Sequence, residues 1–452
     1  MAEDHGKRAS WSGQLGFILA AAASAVGLGN LWRFPASAAT YGGGLFILLY
    51  FILFICFGVF LMATEIALGR TTRLSPSRCY GALDRRWSFV GWLATLVPAL
   101  ILPYYCVIGG WVVKYFGAYA FTPASVAQDG YFDAFIGSSA QTLSMTALFA
   151  AGVFGFIFAG VRKGIEMSNK VLMPLLLALT LGIAAYTMTR PDAGPGLRYC
   201  FVPDFGRLCV DGSFSFVLLA KTVLAALGQM FFSLSLAMGI MITYGSYVPK
   251  TTNVIRSSFR IGLVDSLVAV LAGAIVIPPA FAFGGEELAC KGGIGLMFIS
   301  LPKVFAAMPG TQVFALAFFA LCLFAALTSA MSIAETVVSS ICDHTGWTRN
   351  RATVVTAVYT LLAAIPSAVS LGFLDKTDFI TNSVLMPIGA LATCVFIGWV
   401  AGTGLVRKEI TAEGQPFPCY GFYRIVMRYV APVLLLVILT AYTLSGLGYF
   451  KI

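Results

Sequence analysis

One run of apolar sequence near the start of the chain constrains the fold more than any other feature. Residues 9–32 carry no charge and are long enough to cross a bilayer, yet the run contains Gly27, Gly29 and Asn30, and Arg33 follows it directly. Because lipid offers no hydrogen bonds to a backbone, a spanning segment normally stays helical throughout. A segment that breaks at this depth must turn its free carbonyls and amides toward protein, ions or a bound molecule, as in ion-coupled transporters.

The rest of the chain is similarly apolar. Of its 452 residues 59% are hydrophobic and only 11% are charged, whereas a soluble protein has about 25% charged residues. About 20 apolar residues span the hydrocarbon core as a helix. We therefore predict eleven membrane spans, one in each run of 19 or more residues without Asp, Glu, Lys or Arg: 9–32, 34–64, 87–113, 134–161, 171–189, 222–249, 266–285, 304–334, 352–374, 379–406 and 429–450. In the eighth run, Pro309-Gly310 predicts a re-entrant loop on the outer side before the span.

The positions of the basic residues argue against a nucleic-acid partner, although the net charge is +10. They cluster before span one and after spans two, four, six, eight and ten, which is the positive-inside pattern. This pattern predicts a cytoplasmic N-terminus and, with eleven spans, an external C-terminus. The polar residues 1–14 do not form a cleavable signal peptide. The basic residues concerned are Lys7, Arg8, Arg70, Arg73, Arg78, Arg85, Arg86, Arg162, Lys163, Lys250, Arg256, Arg260, Arg349, Arg351, Arg407 and Lys408.

The ten cysteines show no metal-binding spacing. Cys200 and Cys209 fall in the predicted outer loop 190–213, where a disulfide would form in an oxidising compartment. Two free thiols are an equally good interpretation of this pair.

Two interrupted spans stand at matching positions of the chain. Span one breaks around residues 24–29, and span six carries two serines and a glycine at mid-depth within 229–239. Paired interruptions of this kind point to a binding site between two repeated halves. We predict a single membrane domain over 1–452, with repeat one at 14–186, repeat two at 214–406 and an additional peripheral span at 423–448.

Two groups of oxygen atoms are candidates for holding a cation. The break in span one offers the carbonyls of Ala23, Ala25 and Val26 and the side chain of Asn30; the alternative is a small-residue helix that packs closely on a neighbour. In span eight, Thr328, Ser329 and the Ala325 carbonyl share one helix face, and hard oxygen ligands suit alkali cations. There the alternative is a bond from each hydroxyl to the preceding helical turn.

Three further polar side chains lie in or next to predicted membrane spans, where such groups are unusual. Asp265 heads a long apolar run, and an acidic residue within a membrane is costly and usually functional; the alternative is pairing with Arg256 or Arg260. Glu65 precedes Gly69-Arg70, which favours a position at a cytoplasmic helix end. Tyr105 is central in span three and would donate to a substrate carboxylate, although most membrane tyrosines are interfacial.

Several motifs together resemble the neurotransmitter:sodium symporter family, in order from about residue 8 to 406. The eleven-span form is similar to bacterial members that carry hydrophobic amino acids. The resemblance implies an all-α membrane fold with a 5+5 inverted repeat, discontinuous first and sixth helices and one peripheral helix. The motifs are Trp11-Ser-x-x-Leu-Gly-Phe-Ile-Leu-Ala, Ser24-Ala-Val-Gly-Leu-Gly-Asn-Leu-Trp-Arg-Phe-Pro35, Gly42-Gly-Gly44, Glu65-Ile-Ala-Leu-Gly-Arg70, Gly228-Gln-x-Phe-Phe-Ser-Leu-Ser235 and Thr243-Tyr-Gly-Ser-Tyr-Val248.

The resemblance implies two sodium sites. Site one would consist of the Ala25 carbonyl, Asn30, Ser233, Asp265 and the substrate carboxylate. Site two would consist of the Ala23 and Val26 carbonyls with Ala325, Thr328 and Ser329. Asp265 replaces the Asn of many members, and Ala269 stands where relatives carry Ser or Glu. We therefore predict that Asp265 supplies the fixed negative charge and that transport is independent of chloride.

The resemblance also implies a substrate pocket with an apolar wall. The Tyr105 hydroxyl and the amides near Gly27 and Gly29 would hold the carboxylate, helped by the helix dipole. Members that carry biogenic amines have an Asp in place of Gly27, so we expect a hydrophobic L-amino acid. Met238 replaces a Phe of narrow-pocket relatives and adapts to varied shapes. The predicted pocket residues are Ser24, Ala25, Gly27, Gly29, Ile101, Tyr105, Phe232, Ser233, Ser235, Met238, Ala330 and Ile333.

The family resemblance also implies a gate on each side of the substrate pocket. Arg33 and Asp378 would close the outer vestibule above Phe232, and Arg8 and Asp343 would close the inner side with Trp11 and Tyr247. Gly164 and Pro174 resemble a family motif that lets span five unwind at its cytoplasmic start; an ordinary membrane-helix proline is the alternative.

The sequence thus predicts a sodium-coupled symporter of hydrophobic L-amino acids in the inner membrane of a bacterium, and no enzymatic chemistry. A proton-coupled carrier of similar fold is one alternative, and it would lack the Thr328-Ser329 oxygen pair. A membrane receptor or channel is another. The oligomeric state is left open.

Overall fold

The computed structural model describes residues 9–210, 213–290, 293–308 and 310–446. Eleven helical spans in these ranges are long and apolar enough to cross a membrane, if the bent pair at the start is counted as one span. The predicted all-helical membrane fold is confirmed. The spans are, in order, Gln14–Ala25 with Gly29–Thr40, Gly44–Thr72, Arg85–Phe121, Ser139–Phe158, Val161–Met188, Phe216–Ser233, Val254–Ala289, Gln312–Thr345, Arg349–Val369, Leu371–Val400 and Tyr420–Ser445.

The end of span one differs from the sequence prediction. The charge-free run stops at Arg33, but the second helix of span one continues through Arg33 to Thr40, and span two begins at Gly44. Gly42 and Gly43 have φ values of 94° and 59°, a region that glycine enters without steric cost, so the chain turns there. Arg33 therefore lies inside span one, one turn beyond its break.

Spans one and six are both broken, as predicted. The two helices of span one are bent by 52°. In span six the helix Phe216–Ser233 ends, residues 234–239 leave the helical path, and the short helix Ile240–Ser246 follows. Within this break Ser235 and Ala237 have φ values of 53° and 61°, which costs energy for residues with a Cβ. The surrounding structure must hold them in place.

Short elements connect the spans. The two β-strands of the predicted outer connection pair in antiparallel fashion. Cys200 is buried and Cys209 is exposed, and both are free thiols, so the predicted disulfide alternative does not apply. The segment before span eight contains a short helix, and Pro309 lies outside the described residues. The connecting elements are the short helices Pro76–Leu83, Pro123–Val126, Tyr131–Gly137, Gly194–Phe201, Phe205–Leu208, Leu296–Ala306 and Thr403–Thr411 and the strands Cys209–Val210 and Ser213–Phe214.

The first helix of span one occupies the centre of the bundle. It packs against spans five, seven and eight, and span three packs along spans four and eight. Ala20, Ala21 and Ala23 on this helix are completely buried. Small side chains allow helices to approach closely within a membrane, so the break in span one is surrounded by protein rather than lipid.

Candidate ion and substrate site at the broken helices

The carboxylate of Asp265 is the centre of a buried polar cluster built from four spans. Asn30 donates through Nδ2 to Oδ1 at 2.7 Å, and the Ser233 hydroxyl lies 3.0 Å and 2.9 Å from the two oxygens. The Tyr50 hydroxyl donates to Oδ2 at 3.1 Å. All four residues are at most 1% exposed. The predicted site-one side chains Asn30, Ser233 and Asp265 are therefore brought together.

No basic side chain neutralises Asp265 in the described part of the chain. The alternative, a helix-end pair with Arg256 or Arg260, is wrong, because Asp265 faces neutral donors in the bundle centre. A buried carboxylate without a cationic partner is costly. The cluster thus has the charge and the hard oxygens that an alkali cation requires, and the carbonyls at the end of helix Gln14–Ala25, including Ala25, lack intrahelical partners.

A second group of oxygens joins span eight to span one. The Ser329 hydroxyl is 3.0 Å from the Ser24 carbonyl and 3.3 Å from the Val26 carbonyl. Thr328 makes the bond to its preceding turn that the alternative interpretation expects, with the Ala325 carbonyl 3.1 Å from its Oγ1. The structure thus gathers Val26, Ala325, Thr328 and Ser329, and Ala23 is fully buried one turn earlier on span one.

A small cavity of about 30 Å³ lies between the two oxygen groups. Every predicted pocket residue except Ala330 lines it, and Ala330 is completely buried. Its lining combines polar groups with apolar side chains. It is lined by Ser24, Ala25, Gly27, Gly29, Asn30, Ile101, Tyr105, Phe232, Ser233, Ser235, Met238, Ser329 and Ile333.

The break in span one leaves little room for side chains at its glycines. A Cβ at Gly27 would lie 2.5 Å from the Ser329 hydroxyl and 3.2 Å from that of Tyr105, and one at Gly29 would overlap the Phe232 ring. The Tyr105 hydroxyl is 3.4 Å from the Leu28 backbone nitrogen. Tyr105 is therefore directed at the break and is not an interfacial tyrosine.

A larger cavity of about 640 Å³, the vestibule, opens on the other side of Phe232. Arg33 and Asp378, the predicted gate pair, both line it. The Arg33 guanidinium lies 4.9 Å from the centre of the Phe232 ring, and Asp378 accepts a bond from Asn382 at 2.6 Å. The part of the chain that the structure describes contains no ion pair between Arg33 and Asp378, so the predicted outer gate pair is not formed.

The opposite end of the bundle, where the N-terminal segment lies, is closed. Trp11 donates its indole N–H to the Tyr244 carbonyl and its backbone N–H to the Tyr247 carbonyl, both at 3.1 Å. The Tyr247 hydroxyl donates to Glu335 at 2.8 Å, and Arg349 pairs with the same carboxylate. These contacts tie the start of span one to spans six and eight.

The predicted inner gate also includes the pair Asp343 and Arg8, of which only Asp343 lies within the described residues. The Asp343 carboxylate accepts the Ser75 backbone N–H at 2.6 Å. Arg8 lies outside the described residues, so the predicted pair between Arg8 and Asp343 stays a prediction.

Two buried residues near the site, Tyr50 and Gln229, have no role in the sequence predictions, and a third, Glu65, has contacts other than those expected. Tyr50 bonds Asp265, and Gln229 donates to the Gly29 carbonyl at 3.1 Å. Glu65 was expected at a helix end; it is 1% exposed, and its Oε1 accepts the Ala237 N–H at 2.8 Å. The charge of Glu65 within the membrane raises the same question as that of Asp265, but the sequence favours a helix end for Glu65.

Glu65 should therefore stabilise the break in span six. We expect Glu65→Leu to lower the free energy of unfolding by about 1–3 kcal/mol, because the buried Ala237 N–H loses its acceptor. Glu65→Gln keeps an acceptor oxygen and should change it little. Thermal unfolding in detergent measures both, with the exposed Glu413→Leu as control. A Glu65→Leu protein as stable as this control would refute the role.

A helical bundle with two broken spans and an oxygen-lined cavity between them is the architecture of an ion-coupled secondary transporter. The profile of the Sodium:neurotransmitter symporter family matches residues 8–125 and 134–449. The chain belongs to this family. It is a sodium-dependent, multi-pass membrane transporter.

Comparisons with individual relatives support the same family. The chain is 33% identical over 456 residues to the uncharacterized sodium-dependent transporter YhdH of Bacillus subtilis, covering 96% of this chain and 97% of that protein. An uncharacterized sodium-dependent transporter of Haemophilus influenzae is 30% identical over 466 residues, with coverages of 97% and 99%. Among solved structures, MhsT in complex with L-phenylalanine superposes with a TM-score of 0.86 at 33% identity, covering 96% of this chain and 100% of that one.

Proposed function

We propose that this transporter is a symporter that couples sodium to the import of hydrophobic L-amino acids and does not need chloride. The observation that carries the proposal is the cavity at the two breaks. Its apolar lining residues include Ile101, Met238 and Ile333, and its polar groups include Tyr105 and the backbone around Gly27. Among the described residues that line the cavity none is acidic and could bind an amine, so a substrate would bring its own carboxylate. The complex of MhsT with L-phenylalanine supports the same substrate class.

Two sodium ions fit the two oxygen groups. In site one the ion would contact the Ala25 carbonyl, Asn30, Ser233, Asp265 and the substrate carboxylate, so ion and substrate would each raise the other's affinity. In site two the ion would contact the Ala23 and Val26 carbonyls, the Ala325 carbonyl and the hydroxyls of Thr328 and Ser329. Both sets consist of hard oxygens, which alkali cations prefer.

The two ends of the bundle would act as alternating gates. The positive-inside pattern places the N-terminal end in the cytoplasm of a bacterial cell, which makes the vestibule extracellular. Arg33 and Asp378 would then close over Phe232 after substrate enters, while Arg8, Asp343, Trp11 and Tyr247 keep the inner side shut. The two repeats, 14–186 and 214–406, would move relative to each other in the cycle.

Uptake by the purified protein in proteoliposomes tests the proposal. We expect labelled L-leucine to accumulate in an inward sodium gradient and to be competed by aliphatic and aromatic amino acids. Lysine and aspartate should compete at least about tenfold less well, because the wall offers their charges no partner. Replacing external sodium by choline should stop accumulation. Uptake that persists in choline and follows a proton gradient would establish the proton-coupled alternative instead.

A further inference from the structure

We propose that Glu166 is a positioning residue that makes the cytoplasmic halves of spans one and five open as one unit. This inference rests on the alternating-access function proposed above. It assigns a role to a carboxylate that neither the ion sites nor the gates use.

The Glu166 side chain holds the start of span one directly. Glu166 ends the π-helical turn Val161–Glu166 that begins span five, and it is only 1% exposed. Its Oε2 accepts the Ser12 backbone N–H at 3.1 Å, and its Oε1 accepts the Ser12 hydroxyl. Lys170 contacts both partners, at 2.8 Å from the carboxylate and 3.1 Å from the Ser12 hydroxyl.

The first helix of span one needs such a partner. Its N-cap is Gly13, which supplies no side-chain cap, and no acidic residue occurs in its first turn. The amides at a helix start lack partners within the helix and attract negative charge. Glu166 brings a carboxylate to this helix start from another span, and it accepts the N–H of Ser12, the residue directly before the N-cap. A Cβ at Gly16 would overlap its carboxylate, so the two helices are in close contact at this point.

The connection lies where span five is predicted to unwind. Gly164 comes two residues before Glu166, and a Cβ on it would overlap the Phe156 backbone carbonyl. Unwinding between Gly164 and Pro174 would displace Glu166 from Ser12. Release of span one at the inner gate and exposure of span five would therefore be a single event.

Hydrogen–deuterium exchange of the full-length protein in nanodiscs, in sodium, tests this coupling. We expect Glu166→Ala to speed exchange about tenfold or more in both 10–20 and 161–174, because Ser12 loses charge-assisted bonds. Glu166→Gln should give a smaller effect, since an amide oxygen still accepts the Ser12 N–H. Ser12→Ala, which removes only a hydroxyl and should leave the fold intact, should speed exchange in both segments as well. The control is Lys163→Gln, an exposed residue of the same turn, which should leave both segments unchanged.

The outcome that overturns the inference is separate from failure of the proposed substrate. If Glu166→Ala and Ser12→Ala loosen one segment and leave the other at the wild-type rate, the two spans are not coupled through Glu166. Exchange is measured without substrate, so an error about which solute is carried would change the uptake assay and not this result.

Discussion

The substitution Gly27→Asp should abolish amino-acid uptake. A Cβ at this position would lie 2.5 Å from the Ser329 hydroxyl and 3.2 Å from that of Tyr105, the two groups that face the break in span one. The added carboxylate would also occupy the place of the substrate's own carboxylate and repel it. Both effects act on the same cavity of about 30 Å³, so we expect uptake to fall by at least about a hundredfold.

Two further variants separate the steric effect of the added side chain from the effect of its charge. Gly27→Ala adds the methyl group without the charge and should weaken uptake less. Gly137→Asp introduces the same residue at an exposed glycine with no atom within 4 Å of its Cβ, and uptake should stay at the wild-type level. Initial rates with labelled L-leucine, normalised to protein in the membrane, measure all three. Undiminished uptake by Gly27→Asp would show that the substrate binds elsewhere.

Loss of the negative charge at Asp265 is expected to have the second large effect. In wild-type protein, uptake should be the same when gluconate replaces chloride, because in the proposed mechanism Asp265 would supply a fixed charge beside site one. Asp265→Asn keeps the volume and most hydrogen bonds but removes this charge. Two unit charges about 4 Å apart attract by about 4 kcal/mol at an effective dielectric constant of about 20. The Asn amide oxygen would still contact the ion and keep part of this attraction, so we expect the sodium concentration for half-maximal uptake to rise by about tenfold to a hundredfold, less than the roughly thousandfold change that the full attraction of about 4 kcal/mol would give.

A matched control is Asp192→Asn, which removes an acidic charge at a partly exposed pair with Arg190, far along the chain from the site. Its sodium requirement should equal that of wild type. Abolished wild-type uptake in gluconate would contradict the proposed role of Asp265, as would an unchanged sodium requirement in Asp265→Asn.

The features that the sequence predicted correctly are those determined by local chain chemistry. Charge-free length sets the eleven spans, and the glycines at positions 27 and 29 with Asn30 mark the first break. The boundary at Arg33 was misplaced because charge was used as the end of the span. An arginine that faces a cavity within the bundle does not need to reach the membrane surface.

Contacts between distant parts of the chain were not predictable in the same way. Glu65 and Ala237 are 172 residues apart, and Tyr50 and Asp265 are 215 apart. Each bond exists only after the spans have packed, and no periodicity of a single helix encodes it. The resemblance to a known family did locate the cavity wall, but it included Ala330, whose neighbours on span eight line the cavity while Ala330 itself does not.

The Phe232 ring lines both the vestibule and the small cavity, and Arg33 lies over it. On the proposed route, a solute that passes from the vestibule into the small cavity would rotate this aromatic side chain and disturb its stacking with the guanidinium. Bulky side chains would need a wider rotation than small ones. Discrimination between solutes would then arise partly from how fast each is admitted, and kinetic selectivity need not follow the order of equilibrium affinities.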